Sequence, residues 1–160
     1  ASAGELRLAL FIEELCKAGT PFEEVVKKVE DFKTNQMKTF FVLETLDTLR
    51  KNGRLTGLQA FFATTLNIKP VMGAEEGTII KLDQARGINK GLSRMCSIAV
   101  KSVPDPENRI AVVAHCNNAD RAKLVKEELL KLAPFKQVVI TETAGVATVY
   151  AGDGGIVMAL

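Results

Sequence analysis

The chain has 160 residues, a net charge of +2 and 47% hydrophobic residues. The apolar content and the ordinary 25% of charged residues exclude a disordered chain, collagen and a coiled coil. Basic and acidic residues are too evenly mixed to form the concentrated positive face that binding to nucleic-acid phosphates requires, so no nucleic-acid partner is predicted. No apolar run reaches the roughly 18 residues of a membrane span.

The N-terminus and the cysteines indicate where the protein works. Glu5 precedes Arg7, which spoils the basic start of a secretory signal, so a cytoplasmic location is predicted. The chain begins with Ala1 instead of Met, and we expect that something upstream was removed. Three cysteines far apart along the chain favour buried reduced thiols over a metal site, and no metal is predicted. They are Cys16, Cys96 and Cys116.

The first 33 residues are predicted to form two helices. Ser2 and Glu5 have the spacing of a capping box and begin a helix that ends at Gly19. Thr20 is predicted to cap the second helix, with Pro21 at the first helical position. The second helix carries one apolar stripe at helical spacing, formed by Phe22, Val25, Val26, Val29 and Phe32.

The rest of the chain mixes strands with helices. The predicted strands are 38–43, 68–72, 78–82, 109–115, 137–141, 146–151 and 156–159, and a turn at 75–77 makes the second and third of them a hairpin. The predicted helices are 46–52, 58–66, 88–101 and 119–132. Because strands both neighbour one another and flank helices, the sequence predicts a mixed α/β (α+β) fold, a single domain over 1–160 with helices packed on a mixed β-sheet.

His115, the only histidine, lies at the end of a predicted strand and is followed by Cys116. A nucleophilic Cys/His pair needs both side chains within hydrogen-bond reach, whereas adjacent strand residues point to opposite faces. A role at the strand end is therefore favoured, with Asn117 or Asn118 starting the next helix. No acid, base and nucleophile converge elsewhere, so no catalytic residue and no cofactor are predicted.

A glycine-bearing segment near the C-terminus resembles a phosphate cradle at first sight. It contains Gly152 and Gly154 but lacks the Lys-Ser/Thr of a P-loop, and a predicted strand follows it. A hairpin turn is therefore the favoured interpretation. The alternative is a ligand site, because the phenol of Tyr150 could donate a hydrogen bond to a ligand beside this backbone.

Arg54 follows the helix-ending Gly53, so a fixed backbone would present a guanidinium suited to a carboxylate or phosphate. A lone arginine in this position is usually a solvated cap. The next residues, however, supply more apolar surface than an exposed short helix needs: Leu58, Phe61, Phe62 and Leu66. A cation beside such a wall suits a ligand with an acidic head and an apolar tail.

Five segments, in order along essentially the whole chain, together resemble the DegV family. They are Ala-Ser-Ala-Gly at 1–4, Leu-Arg-Lys-Asn-Gly-Arg-Leu at 49–55, Leu-Asn-Ile-Lys-Pro-Val at 66–71, Gly77 with Arg86, and Tyr-Ala-Gly-Asp-Gly at 150–154. The resemblance is to the C-terminal portion of the family, after its N-terminal α/β domain. In the last segment Tyr150 stands at the position of a family histidine.

The resemblance implies an EDD fold and a lipid-binding protein. DegV proteins bind a long-chain fatty acid between two domains and present its carboxylate to a kinase subunit, which makes the acyl phosphate for phospholipid synthesis. The chain would be a carrier and no enzyme, sharing its cleft with the absent N-terminal domain. The implied ligand-binding residues are Arg54, Phe61, Phe62, Thr65, Ile68, Lys69, Tyr150, Gly152 and Gly154, and Arg86 is the implied kinase contact.

Two other functions remain open on the sequence. DegV folds resemble a domain of dihydroxyacetone kinases, so the chain could be a phosphotransferase subunit. Those kinases bind a small ketone through a histidine, which this sequence lacks at the corresponding place. The second alternative is a regulatory domain with no ligand.

Overall fold

A six-stranded mixed β-sheet forms the centre of the computed structural model, which describes residues 2–55, 67–75 and 77–160. The strands are β1 (Thr39–Val42), β2 (Ile68–Glu75), β3 (Thr78–Arg86), β4 (Ile110–His115), β5 (Gln137–Glu142) and β6 (Ile156–Ala159). Their order across the sheet is β3-β2-β1-β6-β4-β5. Among these described strands β4 and β5 pair in parallel, and the other neighbours are antiparallel. The predicted mixed α/β class is confirmed.

Helices cover both faces of the sheet. They are α1 (Ser2–Lys17), α2 (Phe22–Asp31), α3 (Asp47–Lys51), α4 (Ile88–Lys101), α5 (Ala119–Leu132) and α6 (Gly145–Ala151). A π-helical turn at Phe32–Gln36 extends α2, and a 3₁₀ turn at Pro106–Asn108 precedes β4. Helices α4 and α5 pack on one face, while α1, α3 and α6 lie on the other.

The main core lies between the sheet and the pair of helices α4 and α5. Because successive strand residues point to opposite faces, β1 directs Phe40 and Val42 into this core and Phe41 to the other face. Met95 of α4 and Leu129 of α5 are fully buried here. Burying side chains of this size stabilises the fold by roughly 1.5–3 kcal/mol each.

The opposite face carries two smaller apolar clusters. Ala3 of α1 packs against β4 and β6, and Leu49 of α3 lies in a second cluster with Phe41 and with Ala151 of α6. The sheet register gives this face two ends. One end holds the β2–β3 turn, where Thr39 pairs with Ala74, and we call it the hairpin end. The last residues of β1, β4 and β5 lie at the opposite end, which we call the α3 end.

Most predicted elements are confirmed, among them the helices 88–101 and 119–132, and the β2–β3 hairpin is longer than predicted. The predicted helix 58–66 lies outside the described residues. Helix α2 begins at Phe22, and Pro21 is its N-cap without a side-chain cap bond, so the predicted cap at Thr20 is wrong. Of the predicted apolar stripe, Phe32 is buried, whereas Phe22 is 76% exposed and Val26 is 45% exposed.

The predicted strand 146–151 is wrong, because this segment forms helix α6. Its valines and threonine favour a strand, but β5 ends and β6 begins at the same end of the sheet, next to His115. A six-residue strand would carry the chain roughly 20 Å away, whereas a helix rises about 1.5 Å per residue and keeps it local. The turn at Gly152 and Gly154 therefore joins a helix to a strand and is not a hairpin turn.

Candidate functional site

An apolar groove of about 900 Å³ lies between α1 on one side and α3 and α6 on the other. Phe41 of β1 and Val157 of β6 lie in the sheet beneath it, and Leu6 of α1 forms part of a wall. At the hairpin end it reaches Ala74 and Ile79. The remaining lining residues are Glu5, Ala9, Thr39, Leu43, Leu49, Arg54, Thr141, Glu142, Ala144, Val146, Ala147, Tyr150 and Ala151. An apolar cleft with a few polar groups is typical of a small-molecule site.

Arg54 and Tyr150, whose side chains can donate hydrogen bonds, line the groove near the α3 end. The backbone before Arg54 turns at Gly53, whose φ of 67° favours glycine, and the Arg54 amide donates to the Leu49 carbonyl at 2.9 Å. The Arg54 side chain is exposed, and no described carboxylate forms an ion pair with it. Tyr150 is half-buried in the last turn of α6. The arrangement can bind an anionic head group beside an apolar surface.

Glu44, two residues after β1, joins three segments at the α3 end. Its carboxylate accepts from Lys69 Nζ at 2.7 Å and from Arg121 Nη2 at 2.8 Å, and Lys69 Nζ also donates to the Glu44 carbonyl at 2.7 Å. Arg121 Nη1 donates to the Gly154 carbonyl. Burial alone would raise the pKa of the Glu44 carboxyl, but the bonds and charges of Lys69 and Arg121 outweigh it and lower this pKa. We call these four residues the Glu44 network.

The turn after α6 is held by backbone bonds as well. The Gly154 amide donates to the Cys116 carbonyl at 2.8 Å, and the Cys116 amide donates to the Gly155 carbonyl at 3.0 Å. Gly154 has a φ of 75°, and a Cβ there would lie 2.7 Å from Arg121 Nη1. The backbone angle therefore favours glycine here, and a larger residue would also displace the Arg121 guanidinium.

The structure brings together some of the predicted ligand residues and separates others. Arg54 and Tyr150 share the groove. Ile68 and Lys69 instead line a separate, more polar cavity of about 210 Å³. They lie on β2, which pairs with one side of β1, whereas the turn after Tyr150 leads into β6 on the other side of β1. Gly152 and Gly154 form the turn beside Tyr150 and are not among the groove-lining residues. Arg86, the predicted kinase contact, is exposed at the end of β3, opposite Ile68. Phe61, Phe62 and Thr65 lie outside the described residues.

Several residues of the site were missed from the sequence. Phe40 and Phe41 are adjacent apolar residues on a strand, a pattern that indicates a sheet covered on both faces and could have revealed the groove side. Leu6 and the α6 residues other than Tyr150 carry no such signal, because only the tertiary fold brings α1 and α6 to the same groove. Glu44 and Arg121 are 77 positions apart, and nothing local indicates their ion pair.

His115 takes a structural position. Its side chain is buried, and Nδ1 accepts from the Asn118 amide at 3.3 Å. Asn118 is the N-cap of α5, and its side chain accepts from the Arg121 amide at 3.0 Å, which confirms the predicted helix start. Of the cysteines, Cys96 and Cys116 are buried, but Cys16 is exposed, so its predicted burial is wrong. Burial, with the charge of Glu128, raises the pKa of the Cys96 thiol to about 12.

Metal and membrane features were also searched for in the described ranges. No group of three or more His, Cys, Asp or Glu side chains there could hold a metal ion. Within 2–55, 67–75 and 77–160, none of the helices combines the length and the apolar character needed to cross a bilayer.

Comparisons with known proteins agree with this architecture. A DegV domain-containing protein of Streptococcus pyogenes serotype M1 is 33% identical over 98% of this chain and 56% of its own length. A crystal structure of a DegV family protein from Ruminococcus gnavus, refined with vaccenic acid, has a TM-score of 0.92 and 44% identity, covering 98% of this chain and 55% of that one. The Fatty Acid Kinase (Fak) B3 protein of Streptococcus pneumoniae, loaded with linoleic acid, has a TM-score of 0.82 and 32% identity, covering 95% and 53%.

The chain thus spans about half the length of the relatives it matches. The family model for "Uncharacterised protein, DegV family COG1307" matches residues 1–160, the whole of the sequence. The chain therefore belongs to the DegV family.

Proposed function

We propose that this chain is the lipid-binding portion of a fatty-acid carrier, which holds a long-chain fatty acid in the groove and presents its carboxylate to a separate kinase. The observation that carries the proposal is the apolar groove with Arg54 and Tyr150 near one end. Relatives of the same fold hold vaccenic acid and linoleic acid, and one of them is named the Fatty Acid Kinase (Fak) B3 protein.

The groove matches the chemistry of a fatty acid. Most of its lining side chains are apolar, among them Phe41, Val157 and Ile79, and an acyl tail gains roughly 0.8 kcal/mol for each CH₂ that it buries. A carboxylate at the α3 end would pair with the planar guanidinium of Arg54 and accept a hydrogen bond from the Tyr150 phenol. Tyr150 thus takes the part of the histidine that the family has at this position.

A second domain would complete the cleft in this proposal. The chain spans about half the length of its relatives, and Val146 and Val149 of α6 are 71% and 62% exposed. Val146 also lines the groove. An N-terminal domain placed over α6 would cover these side chains and close the site around the acyl tail.

Phosphoryl transfer would belong to the kinase and not to this chain. The carrier's part is to hold the carboxylate oxygen where a separate enzyme can reach it. Arg86, exposed at the end of β3, is the proposed kinase contact, because its guanidinium is available to an acidic partner surface.

Native mass spectrometry of the full-length gene product, purified without detergent, tests the carrier function. The expected spectrum shows the protein with a co-purified long-chain fatty acid, and delipidated protein takes up added oleic acid. A spectrum without ligand, together with no uptake of oleic acid, would refute the proposal. Decanediol added at the same concentration is the control for unspecific apolar binding.

A further inference from the structure

The two donors proposed for the head group lie on separate segments of the chain. Arg54 follows α3, which continues from β1, and Tyr150 lies on α6, which continues from β5. Helices α3 and α6 contact each other, but the described bonds between their polar side chains do not join them. Apolar packing of Leu49 and Leu55 near Ala151 and Tyr150 holds the two segments together, and the polar bonds that also connect them lie outside the groove.

The Glu44 network makes this connection. Glu44 lies between the groove residue Leu43 and the start of α3, so its position fixes the segment that leads to Arg54. Through Arg121 the same carboxylate reaches the Gly154 carbonyl, four residues after Tyr150. The side chains of Lys69 and Arg121 are only 16% and 15% exposed, whereas that of Glu44 is 39% exposed, so water reaches the carboxylate more readily than the two cations.

Both cations are needed for this geometry. Lys69 donates to both the carboxylate and the backbone carbonyl of Glu44 and so fixes the backbone there. The guanidinium of Arg121 donates through one nitrogen to the Glu44 carboxylate and through the other to the Gly154 carbonyl. A planar guanidinium can donate in two directions at once, which an ammonium on a flexible stem does less well. The Glu44 network lies outside the groove, because Glu44, Lys69 and Arg121 are not among its lining residues.

We propose that Glu44 is a positioning residue for head-group recognition: with Arg121 it sets the separation of Arg54 and Tyr150 and so selects a carboxylate over a neutral head group. The inference rests on the proposed fatty-acid site. It adds that selectivity for the acid depends on a carboxylate that never touches the ligand. Small displacements of such donors weaken a bidentate contact strongly, while the apolar contacts of the tail tolerate them.

The test is the ratio of two affinities, for oleic acid and for oleyl alcohol, measured by titration calorimetry on the full-length gene product. Glu44→Gln keeps the side-chain size but removes the charge that holds Arg121. The expected result is a roughly tenfold or greater loss of affinity for the acid, the range of a hydrogen bond to a charged group, with the affinity for the alcohol unchanged. Arg121→Lys should show the same selective loss.

Glu14→Gln is the matched control. Glu14 Oε1 pairs with Lys136 Nζ at 2.6 Å, also between distant parts of the chain, and its side-chain exposure of 37% is close to the 39% of Glu44. This variant should leave both affinities unchanged. Thermal unfolding of each variant identifies any that does not fold, and if Glu44→Gln does not fold, Arg121→Lys decides the question.

The outcomes separate the two proposals. If the unmodified protein binds neither ligand, the fatty-acid function fails. If the unmodified protein binds the acid, and Glu44→Gln and Arg121→Lys bind it with the same affinity as the unmodified protein, the fatty-acid function stands and the positioning role is refuted. An equal loss for acid and alcohol would also refute the positioning role, because it would show that Glu44 only stabilises the fold.

Discussion

At the scale of single residues, Arg54 and its neighbour Arg50 have different surroundings although they lie one turn apart. Arg54 lines the apolar groove, whereas Arg50 lines the small polar cavity and lies 3.5 Å from Asp47. Their charges are the same, but they differ in their position relative to the groove and in the carboxylate beside Arg50. This pair allows a test of the head-group assignment with its own control.

Arg54→Ala should weaken the binding of oleic acid by roughly tenfold or more, because it removes a charge-assisted hydrogen bond to the carboxylate. Arg50→Ala should leave the affinity unchanged. Titration calorimetry on the full-length gene product measures both. Equal losses in the two variants, or none in either, would place the head group elsewhere.

Residues also show how far the sequence alone could predict the site. Arg54 was found because a helix-ending glycine precedes it, and Tyr150 because glycines follow it. Both are local signals. Glu44 and Arg121 could not be found in this way, since their roles arise from a contact between segments that only the folded sheet brings together. Lys69 was assigned to the ligand, but the fold directs its ammonium to Glu44.

At the scale of elements, local sequence predicts those whose ends carry strong signals. Helix α5 begins at the Asn118 cap and was predicted correctly over its whole length. Helix α6 was predicted as a strand because β-branched residues favour strands, and the sheet topology overrides this preference by requiring the chain to stay at the α3 end. An error of this kind cannot be corrected without knowing which strands are neighbours.

Helix α1 contains an unusual buried cation. Arg7 is 3% exposed, and its guanidinium carbon lies 4.5 Å from the ring centroid of Phe32 and 5.9 Å from that of Phe11. Its Nε and Nη1 find no hydrogen-bond partner in the described structure. Burial lowers the pKa of Arg7, and the charge of Arg109 adds to this effect while Glu14 opposes it. The aromatic rings recover only part of the cost of removing this charge from water.

Arg7→Met should therefore leave the free energy of unfolding unchanged or raise it, because it fills the same space without unsatisfied donors, each of which costs about 1–3 kcal/mol. Arg7→Ala should lower it by roughly 2 kcal/mol or more, since it leaves a cavity beside the Phe32 ring. Urea unfolding monitored by circular dichroism measures both variants. A loss in Arg7→Met as large as in Arg7→Ala would show that the charge itself is stabilising.

At the scale of the whole molecule, the described structure combines a packed core on one face of the sheet with an open groove on the other. Helices α4 and α5 cover their side of the sheet, and α1, α3 and α6 leave a groove between them. The fold class followed from the alternation of strands and helices in the sequence. The groove could not be predicted, because it depends on how α1 and α6 are spaced across the sheet.

The chain of residues 1–160 on its own should fold but hold oleic acid much more weakly than the full-length gene product, because the proposed second domain covers the tail. Circular dichroism checks the fold, and calorimetry compares the two affinities. Binding of equal strength by residues 1–160 alone would show that the groove needs no second domain.

The order of the strands has a consequence for synthesis. Strand β6, which leaves the ribosome after the other five described strands, lies between β1 and β4 and connects the three strands of the first half to the two of the second. Until it is made, β1 and β4 present unpaired edges, which are prone to wrong pairing. Val157 of β6 also lies in the sheet beneath the groove. A nascent chain therefore completes its sheet and the sheet surface beneath the groove in the same step, and a chain that lacks β6 has neither.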